Sequence, residues 1–533
     1  MCEAAQEKKV LAMYDVRGIQ KYIFRTAKVK DAIGASRIVE NIIPDALQAA
    51  VEELQKTSQE EQKLKVELQW CGEDGPFPYT ENGQDIQVLF VGGGNAFVMY
   101  RDKKLCLKVN RLMARYTLEH TYSLQLAAAI VEKSNNYSED YRRLFARMNE
   151  TKADMILSKP LGTIPIMEME IKTGYPLVSK EGSTETRLKK ESGTEKQKKI
   201  QEDDEKKFDS YVTKKGTDST IAVVHIDGNS MGQRIRQAVE KIENYTEAVN
   251  RMRSISYYIN ASYKKVFEEM KEFFNTGGRK LKGLQKKESP YIVREILVAG
   301  DDITFVCNGK AALAAVEYYC RRITGFTMNG EKDAESIQKY GFSVCAGVAY
   351  IGSHFPFSTG YEVAEACCES AKKRAKKEEN MDGERVGNFV DFHICKNIHA
   401  QNFERMRKRE YVTSNGEELL IRPYYIPTDT EGALGKMSEA HFSFQKLKDA
   451  VKFFQDIENI PKSFVKELRN TYPLGEGQMN LLYSFLESRG RKMPDGKDEM
   501  YWSEKGVKIA KWYDALEIQD YFADLKDIEG EDV

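Results

Sequence analysis

Residues 296–306, Ile-Leu-Val-Ala-Gly-Asp-Asp-Ile-Thr-Phe-Val, consist of two apolar runs on either side of a tight polar turn. This arrangement predicts a short β-hairpin that spans about 291–307. Upstream, residues 219–227 read Ser-Thr-Ile-Ala-Val-Val-His-Ile-Asp and predict a buried strand that ends at Asp227. Residues 233–274, between the strand and the hairpin, have helical periodicity and few helix-breaking residues.

The same arrangement occurs once earlier in the chain. Residues 8–15 predict a buried strand that ends at Asp15, and residues 88–99, Val-Leu-Phe-Val-Gly-Gly-Gly-Asn-Ala-Phe-Val-Met, predict a second hairpin. Asp15 precedes Gly94 by 79 residues, and Asp227 precedes Asp301 by 74 residues. Two matching features at nearly equal spacing indicate the duplication of one structural unit.

The order of elements in the second half predicts its fold. Beyond the hairpin, a helix is predicted over 310–323, a strand over 342–351 and a helix over 361–378. Strand, helix, strand, strand, helix, strand and helix is the order of a ferredoxin-like βαββαβ core with an appended helix. The first half follows the same order, with strands near 64–70 and 124–132. We therefore predict an α+β protein with two ferredoxin-like units.

Four regions follow from these patterns. They are a first unit over 1–160, a connecting region over 161–216, a second unit over 217–400 and a mostly helical C-terminal domain over 401–533. Helical patterns in the last region cover 432–456, 461–470 and 476–489. Within the connecting region, residues 179–216 are charged and contain almost no large apolar side chain. This composition favours a mobile linker or a long loop.

Composition excludes several classes of protein. The 533 residues are 41% apolar and 31% charged, with a formal net charge of −1, which fits a soluble globular protein and not a nucleic-acid coat driven by bulk positive charge. The sequence contains no apolar stretch long enough for a membrane span, and its polar start lacks a secretory signal. Nine cysteines without a C-x-x-C pair indicate neither a disulfide framework nor a zinc ribbon, so we expect a cytoplasmic protein.

Three carboxylates are predicted to meet at one edge of the second sheet. Because the first strand of a ferredoxin-like sheet lies beside the hairpin, Asp227 should lie near Asp301 and Asp302. Carboxylates repel each other unless a cation neutralises them, and hard oxygen ligands suit Mg²⁺ or Mn²⁺. Two such ions can activate a ribose hydroxyl and stabilise a pyrophosphate leaving group.

The residues around this edge suit a nucleoside triphosphate. Gly228, Asn229, Ser230, Met231 and Gly232 follow Asp227 at a predicted helix start, where glycines and free amides favour phosphate. Lys372, in the helical segment 364–372, could reach a triphosphate as a point charge.

Other residues are less suited to a role in the chemistry. The corresponding turn of the first unit, Gly93-Gly94-Asn95, leaves Asp15 as the only carboxylate there, so that half cannot easily hold two metal ions. His225 shares a strand face with Asp227, but core packing is the favoured role for it, as it is for Tyr319.

These motifs resemble a known family. Asp-Gly-Asn-Ser-Met-Gly (227–232) together with Ala-Gly-Asp-Asp (299–302) resembles the second palm domain of the Cas-ten (Cas10) family, the large polymerase/cyclase subunit of type III CRISPR effector complexes of the Csm and Cmr type. Residues 14–24, 34–36 and 92–95 are similar to its first, degenerate palm. More distantly, residues 364–372 are similar to a helix of GGDEF diguanylate cyclases.

The resemblance implies an activity and a set of roles. The family converts ATP into cyclic oligoadenylate through 3′–5′ linkages, so Asp227 and Asp301 would be metal ligands and Asp302 would complete the pair. Residues 228–232, Gly300 and Lys372 would bind the donor nucleotide. The first palm, near Arg17, Gly18 and the turn at 92–95 with Gly93, Gly94 and Asn95, would hold the ATP whose 3′-hydroxyl attacks. The implied partners are CRISPR effector subunits with guide and target RNA.

The chain also departs from the family pattern. Asn229 stands where the family often has a second Asp, and Ala299 replaces the first glycine of the GGDD-like hairpin motif. The sequence has no His-Asp pair and starts at the first palm, so we expect no HD nuclease domain. Residues 167–174 lie where many relatives place zinc-binding cysteines but contain none, so we expect no structural zinc.

We therefore predict a two-palm nucleotidyltransferase that makes a cyclic nucleotide messenger from ATP, for antiviral defence. Two alternatives remain: a catalytically weak structural subunit of a CRISPR ribonucleoprotein, and a stand-alone signalling cyclase of another antiphage system. The intact Asp301-Asp302 pair favours an enzyme over a scaffold.

Overall fold

The structure is a computed structural model of the chain. It describes residues 8–529 except for 26–28, 58–62, 82, 93, 156–165, 172, 181, 196–210, 214–217, 277–291, 331–335, 338–339, 383–385, 397–401, 429–438, 459, 492–499 and 505. Among the helices in these ranges, none is both long and apolar enough to cross a membrane.

The first unit is a five-stranded sheet with helices on its faces. Its elements are β1 (Val10–Arg17), α1 (Ile19–Phe24), α2 (Val29–Thr57), β2 (Val66–Glu67), β3 (Ile86–Gly92), β4 (Asn95–Tyr100), α3 (Lys103–Thr121), β5 (Gln125–Glu132) and α4 (Tyr137–Asp154). The strand order is β2-β3-β4-β1-β5, with β1 antiparallel to both neighbours. Because side chains alternate along a strand, Ala12 and Tyr14 pack on the side of α2 and α3, whereas Leu11 and Met13 pack on the side of α4.

The connecting region contains an element that its composition does not predict. It comprises the short strands β6 (Leu177–Ser179) and β7 (Gly182–Ser183) and the helix α5 (Thr184–Glu195). The prediction of a linker or loop over 179–216 is therefore wrong for α5, while residues 196–210 and 214–217 lie outside the described ranges.

Buried charges explain the error. Lys189 and Glu185 are almost fully buried, and the Lys189 Nζ donates to Glu185 Oε1 at 2.6 Å and to the Tyr22 carbonyl oxygen at 2.6 Å. A Cβ on Gly34 would lie 1.9 Å from the Lys189 carbonyl oxygen, so the absence of a side chain lets α2 and α5 touch. Composition does not distinguish charged side chains that pair inside the protein from those of a solvated loop.

The second unit repeats the architecture of the first. Its elements are β8 (Thr220–Gly228), α6 (Met231–Val239), α7 (Tyr245–Thr276), β9 (Val293–Ala299), β10 (Asp302–Asn308), α8 (Ala312–Ile323), β11 (Val344–Gly352), α9 (Phe357–Asp382) and β12 (Asn388–Ile394). The order β11-β8-β10-β9 corresponds to β5-β1-β4-β3 of the first unit. Both are ferredoxin-like arrangements, as the sequence predicts.

The helix predicted over 233–274 is divided in two. α6 ends at Val239, and α7 begins after Asn244, whose side-chain oxygen accepts a hydrogen bond from the Glu247 backbone N–H at 3.0 Å. An asparagine that bonds an amide three residues ahead favours a new helix start over continuation of the old one.

The C-terminal part is mostly helical. Its elements are α10 (Phe403–Glu410), β13 (Tyr424–Ile426), α11 (Phe444–Gln455), α12 (Lys462–Thr471), α13 (Glu476–Ser488), β14 (Tyr501–Glu504), β15 (Val507–Ala510), α14 (Tyr513–Ile518) and α15 (Leu525–Glu529). β13 pairs with β12 and so extends the sheet of the second unit. Of the helix predicted over 432–456, the structure describes α11 (Phe444–Gln455), and residues 432–438 lie outside the described ranges.

Candidate functional site

The ends of two neighbouring strands place the acidic residues. In the antiparallel pairing of β8 with β10, Ile226 faces Ile303, so the next residues along the two strands are Asp227 and Asp302. Asp301 lies in the turn that precedes β10, where Gly300 has the left-handed φ of +63°. The fold thus brings Asp227, Asp301 and Asp302 to one corner of the second sheet.

Gly228 leaves room for this corner. A Cβ at this position would lie 2.8 Å from Asp301 Oδ2, 2.8 Å from the Tyr263 hydroxyl oxygen and 2.7 Å from Met231 Cγ. Real Cβ atoms do not approach other atoms so closely, so the carboxylate of Asp301 occupies space that any other residue at 228 would need.

One face of α9 covers the corner. Tyr361, Glu365, Cys368 and Lys372 follow each other at intervals of four, three and four residues and so share one side of the helix. The Lys372 Nζ forms an ion pair with Asp227 Oδ2, and the Cys368 Sγ donates to the Cys345 carbonyl oxygen on β11 at 3.2 Å. Burial lowers the pKa of Lys372, but the charge of Asp227 and its hydrogen bond to Lys372, with contributions from Cys368 and Cys345, together outweigh burial, so the net shift of this pKa is upward.

Among the described residues, the other two carboxyl groups form no ion pair with a lysine or arginine, and both resist ionisation. Burial and the charge of Asp227 raise the pKa of Asp301 to about 6. Burial and the charges of Asp227 and Asp301 raise the pKa of Asp302 to about 8. Like charges held this close disfavour ionisation of each other until a cation compensates them.

His225 lies beneath the acidic corner. Its Nδ1 lies 3.1 Å from the Thr304 hydroxyl oxygen and 3.4 Å from Asp302 Oδ1, and its ring meets the edge of Tyr361 at 5.6 Å between centroids. Burial lowers the pKa of His225 to about 4, so the ring is neutral at pH 7. His225 is buried in the core and also contacts Asp302, although Asp302 Oδ1 has no hydrogen-bond partner among the described residues. Tyr319 is fully buried and donates its hydroxyl proton to the Tyr263 carbonyl oxygen at 3.2 Å.

The corner suits a divalent cation by its chemistry. Asp302 Oδ1 is a buried atom without a hydrogen-bond partner in the described part of the chain, and the donors around it are hard carboxylate oxygens. Within the same residues, no group of three or more His, Cys, Asp or Glu side chains is arranged to hold a metal ion. The Lys372 ammonium group occupies the cation position beside Asp227 instead.

The loop after Asp227 offers mainly its backbone to a ligand. The Asn229 side chain is buried and donates to the Ser343 hydroxyl oxygen at 3.2 Å and to the Gly387 carbonyl oxygen at 3.0 Å. Met231 is also buried. Ser230 has a left-handed φ of +54° at the start of α6, and a Cβ on Gly232 would meet no atom within 4 Å. Ligand contact at the Asn229 and Met231 positions would therefore come from the main chain.

The turn of the first unit is built differently. Gly94 has a φ of +75°, Asn95 begins β4, and Gly93 lies outside the described residues. A Cβ on Gly92 would lie 2.7 Å from the Ser256 hydroxyl oxygen of α7, so this turn packs against the second unit. The described contacts do not connect it with the acidic corner.

Asp15 of the first unit has a partner of its own. It forms an ion pair with Lys152 of α4, and the Arg17 Nη1 donates to the carbonyl oxygens of Lys152 and Met155 at 2.8 and 3.2 Å. Gly18 has a left-handed φ of +83° before α1.

Sequence reasoning missed Tyr361 and Glu365. Their spacing of eleven and seven residues before Lys372 is a signal in the sequence, because it places all three on one helix face. The contact of Tyr361 with the first unit has no such signal, since it joins segments more than 300 residues apart.

One family model and several solved structures resemble this chain. Residues 220–381 match the family model described as Cas10/Cmr2, second palm domain. The fold is similar to the crystal structure of a Csm1–Csm4 cassette in complex with cA4, with 12% identity, a TM-score of 0.47 and coverage of 97% of this chain and 70% of that chain. The fold is also similar to a Csm1–Csm4 subcomplex of the type III-A CRISPR-Csm interference complex, with 12% identity, a TM-score of 0.45 and coverage of 96% of this chain and 70% of that chain. A third similar structure is a Csm1–Csm4 cassette in complex with one ATP, with 12% identity, a TM-score of 0.44 and coverage of 98% of this chain and 71% of that chain.

No curated protein sequence matches the chain. The TM-scores below 0.5 leave the family model as the finding that carries the assignment. The match begins at the first residue of β8 and ends near the end of α9, so it contains the acidic corner and Lys372. Residues 220–381 are therefore similar to the second palm domain of the Cas10/Cmr2 family, which confirms the resemblance drawn from residues 227–232 and 299–302.

Proposed function

We propose that the protein is a nucleotidyltransferase that joins ATP molecules into a cyclic oligonucleotide through 3′–5′ phosphodiester bonds. The observation that carries this proposal is the convergence of Asp227, Asp301 and Asp302 beneath Lys372, within a domain that matches the second palm of Cas10/Cmr2. Residues that bind and polarise a triphosphate need this combination of anionic and cationic groups at one site.

The reaction forms one bond and breaks one. The 3′-hydroxyl oxygen of one nucleotide attacks the α-phosphorus of another, the bond to the β-phosphate bridging oxygen breaks, and pyrophosphate and a proton are released. A bound Mg²⁺ or Mn²⁺, held by Asp227, Asp301 and Asp302, would lower the pKa of the hydroxyl and neutralise charge on the pyrophosphate.

The residues of the chain have distinct tasks in this scheme. Lys372 exchanges its ion pair with Asp227 for a contact with the triphosphate, and the backbone of residues 228–232 and Gly300 faces the phosphates. The first unit, at Gly18 and at Gly93, Gly94 and Asn95, holds the attacking nucleotide. We propose Mg²⁺ or Mn²⁺ as cofactor, the cytoplasm as compartment, and domains bounded near residues 160, 216 and 400.

One observation favours a second candidate, a structural subunit with weak activity. Lys372 neutralises Asp227, and no metal-holding group is preformed among the described side chains. In either case we propose that the partners are CRISPR effector subunits with guide and target RNA. A cyclase that acts alone would need no such partner.

The test uses the purified full chain with radiolabelled ATP or mixed nucleoside triphosphates and Mn²⁺, with and without candidate RNA. We expect pyrophosphate release and a phosphatase-resistant product that Asp301→Asn/Asp302→Asn abolishes. Asp449→Asn, an exposed carboxylate on α11, is the matched control and should retain activity. Absence of product with every nucleotide and RNA would support the structural subunit.

A further inference from the structure

The first unit contacts the helix that covers the acidic corner. The ring of Phe24, at the end of α1, stacks on the ring of Tyr361 in α9 with centroids 3.5 Å apart and planes 18° apart. Both residues are buried, and Phe24 also approaches Phe357 at 5.8 Å. α1 and the active face of α9 therefore pack as one unit.

The contact continues to Asp302 without a gap. Tyr361 meets the His225 ring edge-on at 5.6 Å, and the His225 Nδ1 lies 3.4 Å from Asp302 Oδ1. His225 is also held by Thr304, the residue opposite it on β10. Because packed rings cannot move independently, the position of Phe24 influences the position of Asp302.

α1 is held from its other side as well. The Lys189 Nζ of α5 donates to the Tyr22 carbonyl oxygen, and Arg25 forms an ion pair with Glu185 at 2.6 Å. α1 thus lies between α5 and α9, and it can transmit position because it has little freedom of its own.

We propose that Phe24 of the first unit is a positioning residue for the catalytic carboxylates of the second unit, acting through Tyr361 and His225. This inference rests on the proposed function and deepens it: the first unit contributes to cation binding at Asp302. Removal of the Phe24 contact should loosen Asp302 and weaken cation binding, with little effect on how ATP itself is bound.

The experiment compares Phe24→Leu with wild type in the full chain. Mn²⁺ binding is followed by electron paramagnetic resonance, and kcat, KM for ATP and thermal stability are measured in parallel. Phe273→Leu is the matched control. Phe273 of α7 stacks on Tyr318 of α8, with ring centroids 4.9 Å apart, away from the acidic corner. Tyr361→Leu should reproduce the effect of Phe24→Leu. Tyr361→Phe should behave like wild type, because the aromatic ring remains.

We expect roughly tenfold weaker Mn²⁺ binding and a lower kcat in Phe24→Leu, with KM for ATP nearly unchanged, as for other groups that orient metal ligands. Unchanged Mn²⁺ binding and kcat in an active protein would overturn the inference. An equal loss in Phe273→Leu would also overturn it, since the cause would then be general destabilisation.

A measurement without turnover separates this inference from the proposed function. In histidine-labelled protein, the NMR signal of the His225 ring, identified by its loss in His225→Asn, should shift in Phe24→Leu and not in Phe273→Leu. A wild type that makes no product would contradict the proposed function alone. An unshifted His225 signal would contradict the coupling even in an active enzyme.

Discussion

Lys372 and Asp227 form an ion pair between the helix α9 and the end of β8, and Lys152 and Asp15 form the same pair between α4 and the end of β1. The two units therefore share a lysine–carboxylate pair at equivalent places. They differ in the adjacent hairpin turn, where the second unit adds Asp301 and the first has Gly94. In the second unit, Asp301 and Asp302 add carboxyl groups to the one that Lys372 pairs with. An excess of carboxylates over the lysine is the condition for attracting a cation.

Replacement of Lys372 by methionine should reduce product formation by about a hundredfold, the usual effect of removing one group that stabilises developing charge. The apparent affinity for ATP should also fall, because the triphosphate loses its cationic contact. The assay is pyrophosphate release under saturating Mn²⁺. Lys372→Arg keeps the charge and should retain part of the activity, whereas wild-type rates in Lys372→Met would contradict the role.

Stability of the metal-free protein should depend on pH through Asp302. The folded pKa is raised to about 8 from an ordinary value of 3.8, so between about pH 4 and pH 8 the folded state keeps a proton that the unfolded chain has released. Rising pH therefore favours unfolding over this range. In EDTA, urea unfolding at pH 5 and pH 8 should show a smaller loss of stability for Asp302→Asn than for wild type.

The control for this measurement is Asp449→Asn, which should follow wild type at both pH values. Addition of Mn²⁺ at pH 8 should raise the stability of the wild-type protein but not that of Asp302→Asn, since a ligand that binds only the folded state stabilises it. Equal pH dependence of wild type and Asp302→Asn would show that this carboxyl group titrates normally.

Gly228→Ala should impair both folding and activity. The new Cβ would meet Asp301, Tyr263 and Met231 at 2.7–2.8 Å, and overpacking of this kind costs about 1–3 kcal/mol. Gly352→Ala at the end of β11 is the matched change, because a Cβ there meets no atom within 4 Å. Chemical denaturation and the pyrophosphate assay test both variants, and equal behaviour of the two would contradict the crowding at Gly228.

Lys189→Met should destabilise the protein by about 3–5 kcal/mol, because it leaves the buried Glu185 without one of its cationic partners. The exposed pair of Arg187 and Glu191, on the same helix at 3.8 Å, provides the comparison. Arg187→Met should change stability by at most about 1 kcal/mol. Similar losses in both variants, measured by urea denaturation, would show that α5 is not held by its buried charges.

Much of the architecture follows from local pattern. The apolar runs ending at Asp15 and Asp227, with their hairpins about 75 residues later, indicate two ferredoxin-like units because strand and hairpin signals lie within a few neighbouring residues. The meeting of Asp227 with the Asp301-Asp302 turn follows from that topology alone. The position of Lys372 on a helix over the sheet follows from the same reasoning.

Tertiary structure decided the rest. The ion pair of Lys372 with Asp227, the burial of Lys189 and Glu185 in α5, and the stacking of Phe24 on Tyr361 each join segments that no local pattern connects. A charged residue has the same letter whether it is solvated or paired inside the protein. Its energy is set by the groups that surround it after folding, and those groups come from distant parts of the chain.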